Sequence, residues 1–521
     1  MNLVRATATI GSLTLLSRIG GFVRDVLQAT LMGAGLAADA FLIAQRLPNL
    51  FRALFAEGAF ASAFVPMFNR QVGAAGGRID GAQRFAEDVL AVLLPVLLAF
   101  TALMVVSAAP VVWALTGGFP DSSPQKFALT VDLTRLTFPY LMLISLTSLL
   151  GGLLNSVGRF AVNAAAPILL NIVLIAGLLW SGGDDDVASA RVQALCVTLG
   201  GIAQLLWLMW SCGKAGISLK LRMPRLTPQV QAMLKLILPA ALGAGAVQVN
   251  LLISTALAAR FLGEGAVSWL YYADRLNQLP LGIIGIGVGT ALLPAMSRLI
   301  GADDVPGAIA QQNRAMELVL ILTLPAAAGL AIAAQPIIAL LFQHGQFTAA
   351  DTAATAAALS GFALGLPAYV LIKVLTPGFH VRSDTSTPVR VALAAMLVNL
   401  VANLVLVWPL GHVGIALGTA ISAWVNAGAL WWLLVRRGQF ALDARARRLL
   451  PRLGVATASM AAVLLAAQPL VAAHTQSGLA ARAVAASLLI GGAGLAYLAA
   501  ARLLGLFTFA GLVAQIKRKP S

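Results

Sequence analysis

Charge is what this chain has least of. Asp, Glu, Lys and Arg make up 10% of 521 residues, against 60% hydrophobic, and the mean hydropathy is +0.89. A soluble domain is about one quarter charged, so a soluble globular class is excluded. Histidine is nearly missing: His344, His380, His412 and His474 are the full complement, all near predicted loops. No nucleophile, base and orienter set can be assembled from them. The two cysteines, Cys196 and Cys212, lie in or beside one predicted helix, which excludes a disulfide framework and leaves them as packing residues. The acid runs Asp184–Asp186 and Asp303–Asp304 stand in loops without histidine or a second acid cluster, and read as solvated loop rather than metal site. No catalytic residue, metal or cofactor is expected, and the chain does not read as an enzyme.

What the chain does have is apolar runs of roughly 20 to 25 residues, long enough to cross about 30 Å of hydrocarbon, recurring from end to end. They fall at 7–31, 36–66, 85–115, 127–155, 160–181, 191–211, 230–260, 266–297, 312–333, 350–374, 387–409, 412–435, 453–471 and 478–505. The expected fold is therefore an all-α polytopic membrane protein of about fourteen helices, with no extramembrane domain. Arg18 and Arg24 interrupt the first run, and no small-residue cleavage site follows, so it reads as a retained helix and not a signal peptide.

Alternate loops differ sharply in Lys and Arg. Most of the 35 fall on one side, and only Lys126, Arg191, Arg260 and Arg482 on the other. The rich side marks the cytoplasm, so both termini are expected there. The net charge of +16 is then a topology signal with attraction to anionic lipid headgroups, and nucleic acid is not an expected partner.

The chain also repeats. FVPMFNR at 64–70 answers LLPAMSR at 292–298, with Pro66 and Arg70 matching Pro294 and Arg298 at an offset of 228; the same shift relates Pro139 to Pro367 and Asn171 to Asn399. AQRL at 44–47 matches ADRL at 273–276 at an offset of 229. Two six-helix bundles follow, 1–222 and 223–440, with 441–521 supplying two helices outside the repeat. Six is even, so both halves enter from one side as parallel repeats, an arrangement that places a cavity between lobes and lets them rock.

Six arginines lie inside predicted spans: Arg18, Arg24, Arg46, Arg52, Arg135 and Arg275. A guanidinium in hydrocarbon costs several kcal/mol, about 3 on insertion scales, so such residues face a bundle interior or an aqueous cavity. Arg18, Arg46 and Arg275 sit roughly 13 to 17 Å from the nearer helix end, too deep to reach the headgroups. Arg24–Asp25 and Asp274–Arg275 are sequence neighbours, pointing about 100° apart, and are not expected to pair with each other. Asp25 and Asp39 return to the faces of Arg18 and Arg46 after two turns, and these acids are expected to orient arginines on adjacent helices. Three acids against six arginines leave a cationic surplus, which calls for an anionic ligand. Guanidinium suits phosphate because it never deprotonates and can bind two oxygens at once. Gly20, Gly21, Pro48 and the run Pro280 to Gly289 adjoin these charges, suggesting broken helices at a substrate site.

The stretches SRIGGFVRD (17–25), RLPNLFRALFAEGAF (46–60), FVP (64–66) and SWLYYADRL (268–276) resemble the MurJ/MviN family, the lipid II flippases of peptidoglycan synthesis, within the wider group that includes the MATE exporters. The similarity covers essentially the whole chain. It implies a V-shaped pair of six-helix lobes around a central cationic cavity, with two final helices bordering a groove for a polyprenyl tail. It implies lipid II as substrate, carried by alternating access across the bacterial inner membrane, with membrane lipids and the cell-wall synthesis and division machinery as further partners. The family's functional arginines match Arg18, Arg24, Arg52 and Arg275, with Asp39 and Ser268 as polar substrate contacts and Asp25, Asp274 and Arg46 as orienting or ion-pairing groups. Sodium sites proposed in some relatives use a carboxylate in the seventh helix, and this chain has no acid between Lys235 and Arg260. Two other readings compete: a MATE-like, cation-coupled exporter of small cationic drugs, which would need a surplus of buried carboxylate, and a membrane-embedded lipid-processing enzyme.

Overall fold

Backbone amides in hydrocarbon have no water to bond, so a chain this apolar must satisfy them within each segment. The computed structural model describes residues 3–55, 59–74, 79–119, 123–183, 185–472 and 478–506, and every regular element among them is an α-helix. In the first half these are α1 (Leu3–Met32), α2 (Leu36–Phe55), α3 (Ala59–Ala74), α4 (Ile79–Val106), α5 (Ala108–Thr116), α6 (Pro124–Thr137), α7 (Pro139–Ser156), α8 (Phe160–Ser181) and α9 (Asp186–Lys214). The second half carries α10 (Pro228–Phe261), α11 (Ala266–Gly301), α12 (Val305–Ile332), α13 (Ala334–Leu341), α14 (Ala349–Ala363), α15 (Leu366–His380) and α16 (Ser386–Arg436). Two more follow, α17 (Ala444–Ala472) and α18 (Leu479–Leu503).

Several expected spans are thus two helices. The run 85–115 divides at Ser107, 127–155 at Phe138 ahead of Pro139, and 350–374 at Leu364–Gly365 ahead of Pro367. Proline lacks the amide that would continue the preceding helix, which fixes where two of these breaks fall. The breaks recur in order: α4–α5 answers α12–α13, and α6–α7 answers α14–α15, as the internal repeat requires. Nine helical stretches among the described residues are long and apolar enough to cross a membrane, and α1, α2 and α11, which carry five of the six arginines, are not among them. The sequence-based count of fourteen is not established by that criterion.

The 51 residues of α16 are two helices in one assignment. Gly411, after Pro409, has φ 56° and ψ −133°, outside the helical region and accessible essentially to glycine alone. A straight helix of that length would hold its ends about 75 Å apart. Instead Arg437 Nη1, just past its end, lies 2.7 Å from Asp384 Oδ2, just before its start. The segment is therefore an antiparallel hairpin, as the separate runs 387–409 and 412–435 predict.

The helix breakers beside the other arginines do not break their helices. α1 continues through Gly20 and Gly21, α2 through Pro48 and α11 through Pro280. One proline removes a single hydrogen bond, which a long helix with packed neighbours tolerates. The acid runs cap helices: Asp185 accepts from the amides of Val187 and Ala188 at the start of α9, and Asp304 from Gly307 at the start of α12.

The chain packs as two compact units, Met1–Ser268 with His344–Phe347, and Trp269–Gln343 with Thr348–Ser521. The first is centred on a column of stacked rings, Phe60, Phe64 and Phe68 on α3 with Phe85 of α4, centroids 5.3 to 5.8 Å apart. In the second, α12 packs on α15 and α17, and Tyr497 of α18 donates to the Ile321 carbonyl at 2.7 Å. Gly491 and Gly494 of α18 face open space, with no atom within 4 Å of where a Cβ would stand.

Candidate functional site

In the first unit α1 lies along α8, and their contact holds the first charged group. Arg24 is 9% exposed and Asp25 2%. Arg24 donates to Asp25 Oδ1 through Nη2 at 2.7 Å and Nε at 3.2 Å, and to Asn171 Oδ1 of α8 at 3.3 Å. Asn171 turns its amide nitrogen to the Ser17 carbonyl at 3.0 Å. This corrects the expectation that Arg24 and Asp25 do not pair. The helical rule fixes where Cβ atoms point, whereas the long guanidinium stem can fold back over its neighbour when no solvent competes.

The second group is centred on Asp39 of α2, which has no exposed surface. Its Oδ1 accepts from Ser268 Oγ at 2.7 Å and the Ser268 amide at 2.9 Å; its Oδ2 accepts from the Gly265 amide at 2.8 Å and Lys126 Nζ at 3.0 Å. Four donors occupy the carboxylate. Ser268 lies in the first turn of α11, where unpaired amides and the helix dipole favour an anion. Lys126, in the first turn of α6, is 2% exposed and also lies 4.9 Å over the Phe119 ring. The sequence reading placed Lys126 in an outer loop and expected Asp39 to orient an arginine; the structure gives Asp39 an ammonium from α6. Asp39 and Ser268 are related by the 229-residue shift of the repeat, so the contact joins equivalent positions. In this conformation both are engaged with each other and sealed from solvent.

The remaining residues of the first unit are less enclosed. Arg46 and Arg52 on α2 are half-buried, and Arg18 is exposed on α1 beside Leu15 and Ile19. Arg135 is exposed too, 3.8 Å from Asp132. In the second unit, Arg275 of α11 is half-buried, donates to Tyr271 Oη at 2.9 Å and stands 4.8 Å over the same ring. Asp274 accepts from Gln278 Nε2 at 2.5 Å. The structure thus joins Arg24 with Asp25, and Asp39 with Ser268. Sequence reasoning missed Lys126, Asn171 and Tyr271 as partners. Tyr271 stood one helical turn before Arg275, a legible spacing, whereas Lys126 and Asn171 come from distant segments.

These features define a polytopic membrane protein with charged groups held inside its helical bundle, the construction of a transporter. Comparison places it further: the family model of the lipid II flippase MurJ matches residues 28–485, and the chain belongs to that family. It is 45% identical over 470 residues to the probable lipid II flippase MurJ of Rhizobium meliloti, covering 90% of this chain and 87% of that one. To the lipid II flippase MurJ of Burkholderia cenocepacia it is 36% identical over 445 residues, covering 84% and 85%. Among solved structures, a lipid II flippase MurJ in an inward closed conformation matches with a TM-score of 0.76 at 24% identity, covering 95% of this chain and 98% of that one. An inward-facing MATE family transporter of the MOP superfamily matches with a TM-score of 0.65 at 16% identity, covering 82% and 97%. At those identities the structures speak for the fold. Members of the family are flippases and not enzymes.

Proposed function

We propose that this chain carries lipid II, an undecaprenyl-diphosphate-linked disaccharide peptide, from the cytoplasmic to the periplasmic leaflet of the bacterial inner membrane by alternating access, with both termini cytoplasmic. What supports the reading is the surplus of arginine over carboxylate within the spans expected from the sequence, in a member of the lipid II flippase MurJ family. Arg18, Arg24, Arg52 and Arg275 are the diphosphate contacts, because guanidinium holds its charge at any physiological pH and binds oxygen pairs. Asp25, Asp274 and Arg46 orient them. Asp39 and Ser268 reach the substrate only after their own network opens. The halves 1–222 and 223–440 act as the moving lobes, and 441–521 as a platform for the lipid tail, a role the open surface at Gly491 and Gly494 supports. Cell-wall synthesis and division proteins are the expected protein partners.

A labelled lipid-linked precursor should become accessible on the outer face only while the protein is active. Arg275→Ala should abolish that accessibility in a folded protein, and Arg275→Lys should restore part of it, since ammonium binds as a point charge. Full transport by Arg275→Ala would end the assignment of a phosphate clamp to this residue.

A further inference from the structure

Within the second unit a groove of about 380 Å³ runs between α11 and α12, inside the roughly 300–1,000 Å³ range of ligand sites. On α12 its wall is Gln311, Arg314, Leu318 and Leu322, spaced three, four and four residues and so on one face; on α11 it is Val288 and Ala291. The polar pair stands at the end nearer the α11–α12 turn, and from Arg314 to Leu322 the groove is apolar for about 12 Å. Its mouth gathers charge of both signs, with Asp443 acting on Glu317 alongside Arg445 and Arg314. Glu317 Oε2 lies 3.1 Å from Arg445 and 3.7 Å from Arg314, so one nearly buried carboxylate is shared between two half-exposed guanidiniums, the nearer of them Arg445.

We propose that this groove binds one anionic glycerophospholipid of the surrounding leaflet, with an acyl chain along Val288, Ala291, Leu318 and Leu322 and its phosphate at Arg314 and Gln311. The ordering of the site is that of a membrane lipid, polar at one end and apolar along its depth. A zwitterionic headgroup supplies a phosphate but brings its own ammonium against Arg314, so the site selects net negative charge. One guanidinium and one amide match a single phosphate, which separates this site from a diphosphate clamp.

The test uses the full chain in detergent, titrated with phosphatidylglycerol or phosphatidylcholine and read by native mass spectrometry as bound lipids per protein. The proposal goes beyond the flippase reading, and because the readout is binding it stands or falls apart from transport. Arg314→Gln should weaken retention of one phosphatidylglycerol about fivefold while leaving phosphatidylcholine unchanged, the effect of one basic group at an anionic surface. Arg314→Lys should keep most of the preference. Ala291→Trp, at an exposed position, should remove the bound lipid of either kind by filling the groove. An unaltered preference in Arg314→Gln, retained lipid in Ala291→Trp, or one-for-one displacement by a lipid-linked diphosphate would each overturn it.

Discussion

At the scale of single residues, Asp39 and Lys126 show what an ion pair in a membrane protein requires. Both are withdrawn from solvent, and three further donors complete the carboxylate. Breaking such a pair from one side strands a charge, at about 3–5 kcal/mol, whereas removing both partners costs far less. Lys126→Met should therefore lower the unfolding midpoint in detergent markedly, and Asp39→Asn with Lys126→Met should recover part of the loss. A Lys126→Met protein as stable as the parent would show the pair to be incidental. The members of this network were visible in the sequence, but their pairing was not. Asp39 and Ser268 stood out by motif, while Lys126 looked like one more loop cation, since spacing along a helix says nothing about which other helix approaches it. Arg24 and Asp25 failed in the opposite sense, because a rule for Cβ directions was applied to a side chain long enough to fold back.

At the scale of elements, hydropathy located the long helices but not the short α13 (Ala334–Leu341), which falls between the runs 312–333 and 350–374, and prolines and a glycine mark several of the divisions. Pro139 and Pro367 were legible as repeat markers and turn out to mark division points. The division at Ser107 had no such signal, since a run apolar on both sides of a break carries no periodicity to report it. Gly411 is the sharpest case. Its φ of 56° with ψ of −133° reverses the chain, and the return stroke brings Arg437 to Asp384 and Thr387. A Cβ at this position would force a strained conformation costing about 1–3 kcal/mol. Gly411→Ala should reduce the yield of folded protein and lower its thermal midpoint, with the loss visible in detergent-solubilised material before any transport is measured. An undiminished midpoint would mean that the hairpin is set by its packing and not by its turn.

At the scale of the whole molecule, the repeat is what links structure to transport. A chain built twice over has equivalent segments, and the segments 32–38 and 260–266 flank equivalent residues: Asp39 accepts from the Gly265 amide and from Ser268, its own counterpart under the 229-residue shift. Four donors occupy the Asp39 carboxylate, so the contact is closed in this conformation. Alternating access as proposed requires it to part once in each cycle, releasing Asp39 and Ser268 toward the substrate and exposing a carboxylate and an ammonium that now neutralise each other. Opening is thus costly unless something compensates, and a diphosphate entering beside the arginines is a ligand of the right sign to compete for Lys126. Cysteines introduced singly through 32–38 and 260–266 and combined in pairs leave Asp39, Ser268 and Lys126 intact. Under oxidant, pairs that crosslink should stop precursor from reaching the outer face, and reductant should restore transport in the same preparation. Single cysteines should be indifferent to both. Transport that continues with the crosslink demonstrably formed would exclude parting at this contact from the cycle and leave the Asp39 network as a fixed structural joint.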